Sequence, residues 1–439
     1  MIPSFFRMTT GPTTFILRAG LQEFSLEPPR ICSTGKKKSF SITNWDTEFR
    51  AWVGSSGGSW APTVIKQNNK YYMFHGIITG EMPDVHACIT LAISDSPTGN
   101  FKPAVKYNPD LYKTSTLVRY TWDNNAEGFT DTYNNANKNW NNGFGSIDPE
   151  FVYDIATGNL MTYQIGSNTC YAITYGSWKQ GIAVIYVDAE TLKPVCTVSG
   201  TSLYDNKSYS IGDEMDAPAD SISGNQGTFL VGRNPSKNTD SAYEGAQLIY
   251  NSQTKYYYMF VSMGELTYEY RVGVGRAYSA DGSSIPTTYT DASSHNMSIV
   301  ENSNYHSVGS KITGAAQLTG EYGWRSPGGQ SVFRTKAGKI IFACHSRTTF
   351  KGGDFVLRLH QMFFNADGWP VINQNDYYDD YKDYTSDGSE SLSKLNLAGS
   401  TYTGNTADGT ATESKSIKIS SSGEISGSYT GTLFLASDG

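Results

Sequence analysis

Charge is scarce in this 439-residue chain: Asp, Glu, Lys and Arg make up 17% of it, against roughly a quarter in an average soluble domain. The net charge is −7 and no basic block is longer than Lys36-Lys37-Lys38. An electrostatic nucleic-acid binder needs a basic face, so that class is excluded. No apolar run approaches the roughly 18–20 residues that cross a bilayer; the stretch from Thr13 to Leu17 is too short, and no charged, apolar and small-residue series marks a leader. The five cysteines, Cys32, Cys88, Cys170, Cys196 and Cys344, show no CxxC spacing. They read as buried thiols with at most one bridge, and as neither a disulfide framework nor a zinc site. Phosphate-loop, H-E-x-x-H and EF-hand patterns are all missing, and the six histidines lie far apart, which weakens a Ser/His/Asp reading.

What the chain has is aromatic and turn-forming. Hydrophobic residues reach 38%, aromatics 13%, with 30 Tyr and 44 Gly. That is enough for a sizeable core, built from short strands and tight turns rather than coiled coil or helical bundle. A two-part pattern recurs about every 85–95 residues. Asn69–His75 precedes Ile89–Asp95, Gly158–Tyr163 precedes Gly181–Asp188, Lys255–Ser262 precedes Tyr270–Arg276, and Gly338–His345 precedes Phe355–Leu359. A weaker copy lies at Thr13–Ala19. Five sheet units of this kind predict an all-β, five-bladed β-propeller over residues 1–375, because radial packing protects sheet edges. Residues 376–395, acidic and polar, read as a linker, and 396–439 as a small, partial C-terminal β-barrel-like domain. Three or four strands over so short a stretch are marginal alone, so the C-terminus is expected to be cut short.

Carboxylates stand in unusual places. Asp148, in Ser146-Ile147-Asp148-Pro149-Glu150, and Glu244, in Tyr243-Glu244-Gly245-Ala246, each precede an apolar strand. Both are expected on innermost strands near a propeller axis, where partial desolvation raises a carboxyl's pKa and suits a general acid. The same spacing also allows Asp148 as a turn cap before Pro149 and Glu244 as a buried ion-pair partner. His345 ends the apolar run Ile340-Ile341-Phe342-Ala343-Cys344, and Trp60-Ala61-Pro62 opens the second unit. A histidine there can be core or ligand, and Trp60 can be core or a face for a sugar ring.

An ordered set of short motifs then resembles glycoside hydrolase family 43. It comprises Trp60-Ala61-Pro62-Thr63-Val64, Ser94-Asp95-Ser96-Pro97-Thr98-Gly99, Ser146-Ile147-Asp148-Pro149-Glu150, Tyr175-Gly176-Ser177-Trp178, Tyr243-Glu244-Gly245-Ala246, Val274-Gly275-Arg276-Ala277, Ser326-Pro327-Gly328-Gly329-Gln330 and Asp367-Gly368-Trp369-Pro370. Each motif is weak alone; the order over residues 1–372 is specific. The branch it looks like is the endo-α-1,5-L-arabinanases with an added C-terminal β domain.

The resemblance implies an inverting hydrolase of α-1,5-linked L-arabinan, with Glu244 as general acid and Asp148 as the residue that tunes and orients it. It implies Trp60, Trp178 and Arg276 as substrate-binding residues, Arg276 near the acid, and one central metal, usually Ca2+, held through His345 and waters. The expected partner is a polysaccharide, arabinan or arabinoxylan side chains, with no nucleic acid and no membrane span. The protein is expected to be a monomer, secreted or periplasmic, with its leader outside this sequence. One position departs from the pattern: Ile2, ahead of Pro3-Ser4, stands where the family has its general base. Isoleucine takes no proton from water, so no base is assigned and the chain is expected to be short at its N-terminus as well. Two alternatives follow, a non-catalytic arabinan-binding propeller and an exo-acting α-L-arabinofuranosidase or β-xylosidase of the same family.

Overall fold

The structure, a computed structural model, describes residues 41–42, 58–122, 145–232, 243–298, 308–348, 355–377 and 401–432, several of these stretches with short interruptions. Among them, helix is confined to single turns at Ala104–Tyr107 and Ala219–Ser221. The all-β expectation holds. The chain divides into two units, Met1–Met362 with Ile372–Asp376, and Phe363–Val371 with Tyr377–Gly439.

In the first unit four largely antiparallel sheets follow one another in a propeller-like arrangement. The first joins Gly58–Gln67, Lys70–Thr79 and Val85–Ser94, with Asn100–Pro103 and Thr116–Trp122 both paired to the last of these. Its leading hairpin turns at Asn68-Asn69, whose φ values of 49° and 60° are those of a two-residue type I′ turn. The second sheet runs Thr162–Ile165, Asn168–Tyr175, Gly181–Asp188, Thr228–Gly232, with Glu150–Phe151 on the other edge of Asn168–Tyr175. The third runs Tyr243–Asn251, Tyr256–Met263, Arg271–Tyr278, Ser310–Thr313, and the short Tyr153–Asp154 lies parallel to its first strand. The fourth contains Trp324–Arg334, Ile340–Thr348 and Phe355–Phe364.

The second copy differs from its sequence pattern. Gly158–Tyr163 is not one strand: Asn159–Leu160 belongs to the third sheet and Thr162–Ile165 to the second. The partner of Gly181–Asp188 is Asn168–Tyr175, entered through Gly166 at φ 60°. The chain changes sheets at Met161, whose N–H still donates to Val152 O at 2.9 Å. The weak copy at Thr13–Ala19 lies outside the described residues.

The sheets bury both faces. Phe151, Ile173, Tyr175 and Ile185 face Ile65, Phe74, Ile89 and Leu91 of the first sheet. Val152, Ile182 and Val184 face Leu248, Tyr257, Met259 and Val261 of the third. Phe151 and Val152 go opposite ways, as adjacent residues on a strand must. Phe260 meets Phe342 of the fourth sheet at 6.3 Å between ring centres. Cys88, Cys170, Cys196 and Cys344 are free, buried thiols; Cys32 lies outside the described residues.

In each sheet the innermost segment begins alike. A residue in the left-handed region stands at its start: Ala61 at φ 43°, Asp148 at 59°, Gly245 at 56° and Ser326 at 51°. Three of the four are not glycine, and three precede proline. Left-handed backbone costs an L-residue roughly 1–2 kcal/mol. In the first, third and fourth sheets the ladder register also slips there, at Trp60/Thr63, Glu244/Gln247 and Arg325/Gly328. Such bulges re-aim side chains at the rim of a sheet.

The second unit, by itself, holds the antiparallel ribbon Thr401–Ala407, Thr412–Ile419, Glu424–Gly427 and Gly431–Thr432. The expected linker at 376–395 lies almost wholly outside the described residues.

Candidate active site

Glu244 sits one residue ahead of the left-handed Gly245, where the third sheet's inner strand begins. It is 5% exposed, and Asp148 is 4% exposed. The bulge turns the peptide after Glu244 toward the second sheet, where the Gly245 N–H donates to Asp148 Oδ2 at 3.1 Å. The structure therefore brings together the two carboxylates singled out from sequence.

Glu244 is held at both oxygens. The Tyr270 hydroxyl donates to Oε1 at 2.6 Å, and Ser177 Oγ donates to Oε2 at 2.8 Å. The Trp178 side chain adds a third hydrogen bond to the carboxyl, and the Trp178 backbone N–H donates to Tyr243 O at 2.8 Å. Burial pushes the Glu244 pKa up, against the lowering effect of these donors. A buried carboxyl with a raised pKa and convergent polar neighbours is the environment of a general acid.

Tyr270 is itself locked. Its ring stacks on His345 at 5.6 Å and 17°, and the α-carbon of Gly328 passes so close that a Cβ there would lie 2.0 Å from Cε1 of the ring. Burial, and then the Glu244 carboxylate beside it, hold the phenol protonated far above its ordinary range.

His345 is fully buried, between Tyr270 and the edge-on ring of Phe355 at 4.8 Å. Neither ring nitrogen has a hydrogen-bond partner in the structure. Burial, then the Arg347 guanidinium, push its pKa down to about 3, so the ring is neutral and its lone pair is open to a ligand. For a metal ion the fit is at one point only. A neutral imidazole suits it, but no group of three or more His, Cys, Asp or Glu gathers there among the described residues, and Arg347 opposes a cation.

The Pro327-Gly328-Gly329-Gln330 run ends in a side chain that crosses between sheets. Gln330 Nε2 donates to Gly245 O at 2.5 Å, and its Oε1 accepts from Ser262 Oγ at 2.8 Å. One turn on, Gln247 Nε2 donates to Val332 O at 3.0 Å and Gln247 Oε1 accepts from Val332 N at 2.5 Å. Two glutamine amides thus latch the third sheet to the fourth just behind the Glu244 bulge.

The three expected substrate-binding residues separate. Trp178 belongs to the Glu244 cluster. Trp60 stands ahead of the left-handed Ala61, in register with Gly76. Arg276 is not brought to the acid. Glu244 is in register with Ser262 and Ser262 with Val272, so Arg276 lies four residues further along the strand, roughly 13 Å at 3.3 Å per residue. There its guanidinium covers the Tyr256 ring at 4.3 Å. Tyr270 and Ser177 were given no role from sequence, although Ser177 stands in the Tyr175-Gly176-Ser177-Trp178 motif; one tyrosine among 30 carries no signal of its own. A separate small, half-open pocket with about 20 Å³ of space, lined by Phe74, Leu91, Tyr112, Lys193 and Asp216, contains none of these groups.

No family model matches the chain. In sequence it is 26% identical over 382 residues to the extracellular endo-α-(1→5)-L-arabinanase of Thermotoga petrophila, a match covering 83% of this chain and 66% of that one. It is 25% identical over 328 residues to extracellular endo-α-(1→5)-L-arabinanase 2 of Bacillus subtilis, covering 71% and 56%. The chain spans less than two thirds of the length of either relative. In fold it is similar to the crystal structure of the T. petrophila endo-1,5-α-L-arabinanase, with TM-score 0.60 and 23% identity over 87% of this chain and 74% of that one. It is similar too to a glycoside hydrolase family 43 protein of Bacillus licheniformis, with TM-score 0.58 and 22% identity over 87% and 74%. The resemblance read from the ordered motifs is met in both sequence and fold.

Proposed function

We propose that the chain, as a relative of the endo-α-1,5-L-arabinanases of glycoside hydrolase family 43, is a glycosidase that cleaves α-1,5-linked L-arabinan with inversion. The observation that carries this reading is the setting of Glu244: buried, pushed toward its protonated form, and tied through the next peptide to a second buried carboxylate. Glu244 delivers its proton to the glycosidic oxygen as the bond to the anomeric carbon breaks. Asp148 fixes the Gly245 peptide and so the direction of the acid. Trp60 and Trp178 are the surfaces offered to the sugar rings.

Inversion also needs a base about 6.5–9.5 Å from the acid, with room for a water between them. On the family pattern that base stands at position 2, which is Ile2 here and lies outside the described residues. On this reading the Thr13–Ala19 pattern supplies a fifth blade, and residues 396–439 part of a C-terminal β domain. For a central Ca2+, which takes oxygen ligands, the described residues offer His345 alone, with Arg347 opposing a cation, so no part of the reaction is assigned to a metal. Extracellular action and a polymeric substrate are read from the same relatives, both of which are named extracellular arabinanases. No helix among the described residues is long and apolar enough to cross a membrane.

The test compares the chain, its Ile2→Asp variant and Ile2→Asp with Glu244→Gln on linear arabinan, with NMR detection of the anomer first released. Inverted product from Ile2→Asp is expected, with turnover reduced roughly 10²–10⁴-fold by Glu244→Gln. A folded Ile2→Asp chain that releases no oligosaccharide overturns the reading. The isoleucine favours one second reading, an arabinan-binding propeller without turnover, and calorimetry showing no heat with arabino-oligosaccharides removes it.

A further inference from the structure

A general acid must carry a proton, yet three side chains donate toward Glu244. Tyr270 donates to Oε1, Ser177 to Oε2, and Trp178 to the carboxyl as well. The three donors differ in what they can do when the proton arrives. An indole N–H only donates. A phenol O–H keeps close to its ring plane, and the Tyr270 ring is fixed between His345 and the Gly328 backbone. The serine hydroxyl turns freely about one sp³ bond and both donates and accepts.

We propose that Tyr270 is a positioning residue that pins Oε1 of Glu244, so that Oε2 carries the transferable proton while Ser177 turns from donor to acceptor. This rests on the reading of Glu244 as the acid. In the protonated state the Oε2–H points to Ser177 Oγ or to the substrate. On cleavage in the Ile2→Asp chain the proton leaves Oε2 for the glycosidic oxygen and the electrons of the broken anomeric C–O bond go to that oxygen, while a water bonds to the anomeric carbon and gives its proton to the base at position 2; the Ser177 O–H then swings back to the new carboxylate. Solvent water later returns the proton. Gly328 is part of the device, since any side chain there would occupy the space of the Tyr270 ring. Among the described residues, the charged and titratable groups facing this site are Asp148 on the second sheet, Tyr270 on the third and, behind Tyr270, His345 with Arg347 on the fourth.

The experiment follows the ionisation of Glu244 itself in the full chain, using carboxyl-¹³C glutamate and NMR against pH, with the resonance assigned by its loss in Glu244→Gln. Tyr270→Phe removes one donor from the carboxylate and is expected to raise the midpoint by about one pH unit, from the worth of a hydrogen bond to a charged group. Ser177→Ala removes a partner that serves both states and is expected to leave the midpoint nearly where it was. An unmoved midpoint in Tyr270→Phe overturns the proposal, and so does a rise in Ser177→Ala as large as that in Tyr270→Phe. If Tyr270→Phe does not fold, the Ser177→Ala midpoint decides alone: nearly unchanged supports the switch, a large rise overturns it. The measurement needs no turnover, so it is independent of whether arabinan is cleaved. In the Ile2→Asp background the alkaline limb of kcat/KM should rise with Tyr270→Phe. The loss of kcat should also be greater for arabino-oligosaccharides than for aryl glycosides with good leaving groups. Activity on arabinan with neither change refutes the positioning role and leaves the enzyme reading intact.

Discussion

Gly328→Ala tests how tightly the candidate acid is held. The added methyl carbon would lie 2.0 Å from Cε1 and 2.2 Å from Cδ1 of Tyr270, with Ser262 Oγ at 3.1 Å. Carbon atoms in good contact stand about 3.5–4.0 Å apart, so the ring must retreat by roughly 1.5 Å. One face of it is closed by His345 at 5.6 Å, and the ring is buried, so it cannot move without disturbing packed neighbours. Overpacking of this kind costs about 1–3 kcal/mol. A shift of that size also breaks the 2.6 Å bond from the Tyr270 hydroxyl to Glu244, and a hydrogen bond to a charged group is worth about 1.5–3 kcal/mol. The expected result is a melting midpoint lower by roughly 3–8 °C, together with the same upward move of the Glu244 midpoint as in Tyr270→Phe. Calorimetric melting and the ¹³C titration read the two effects separately. A Gly328→Ala chain that melts within about 1 °C of its parent and leaves Glu244 unmoved would refute the claim that the Gly328 backbone and His345 confine the ring.

Glu244 also sets a pH dependence of stability. Its folded pKa is raised above the ordinary carboxylate value of 4.5, so its contribution is full below that value and is lost as pH rises through the folded pKa. Glu244→Gln cannot ionise, so its melting midpoint should gain on the parent as pH rises from the ordinary value of 4.5 to the raised folded pKa and then hold level; a difference that stays constant or shrinks above pH 4.5 contradicts the sign. Gln330→Ala removes the amide that meets Gly245 O and Ser262 Oγ and should cost about 1–3 kcal/mol in denaturant unfolding; an unchanged unfolding midpoint would show that the latch is idle. If His345 holds a metal, elemental analysis should find less of it in His345→Ala than in the parent, and equal content removes the ligand role.

Much of the architecture was legible because strand periodicity and turn residues repeat along the chain. Gly338–His345 and Phe355–Leu359 mark adjacent strands of one sheet, and Asn69–His75 with Ile89–Asp95 mark adjacent strands of another, each to within two residues at the turns. The second copy misled because a hydrophobic run shows that a strand exists and not which sheet receives it; only the handover at Met161 separates Leu160 from Thr162. Asp148 and Glu244 stood out as carboxylates at the heads of apolar strands, a conflict that solvation makes visible in sequence. Tyr270 and Gln330 showed no such conflict. A tyrosine before a strand and a glutamine within one are ordinary, and their roles come from contacts with segments 26 and 85 residues away. Arg276 illustrates the converse: a short motif match carries no information about how far along a strand a residue stands from the acid.

The shared left-handed start of the inner segments makes the fold modular at its centre. Trp60, Ile147, Glu244 and Arg325 each stand one residue ahead of the same backbone twist, so four addresses are interchangeable in main-chain terms. An acid, an indole, an alkyl group and a guanidinium already occupy them without altering the turn that follows. Chemistry at such a centre can therefore be rewritten one letter at a time, and a designer seeking a second carboxylate opposite Glu244 has ready-made positions at which the main chain is already bent.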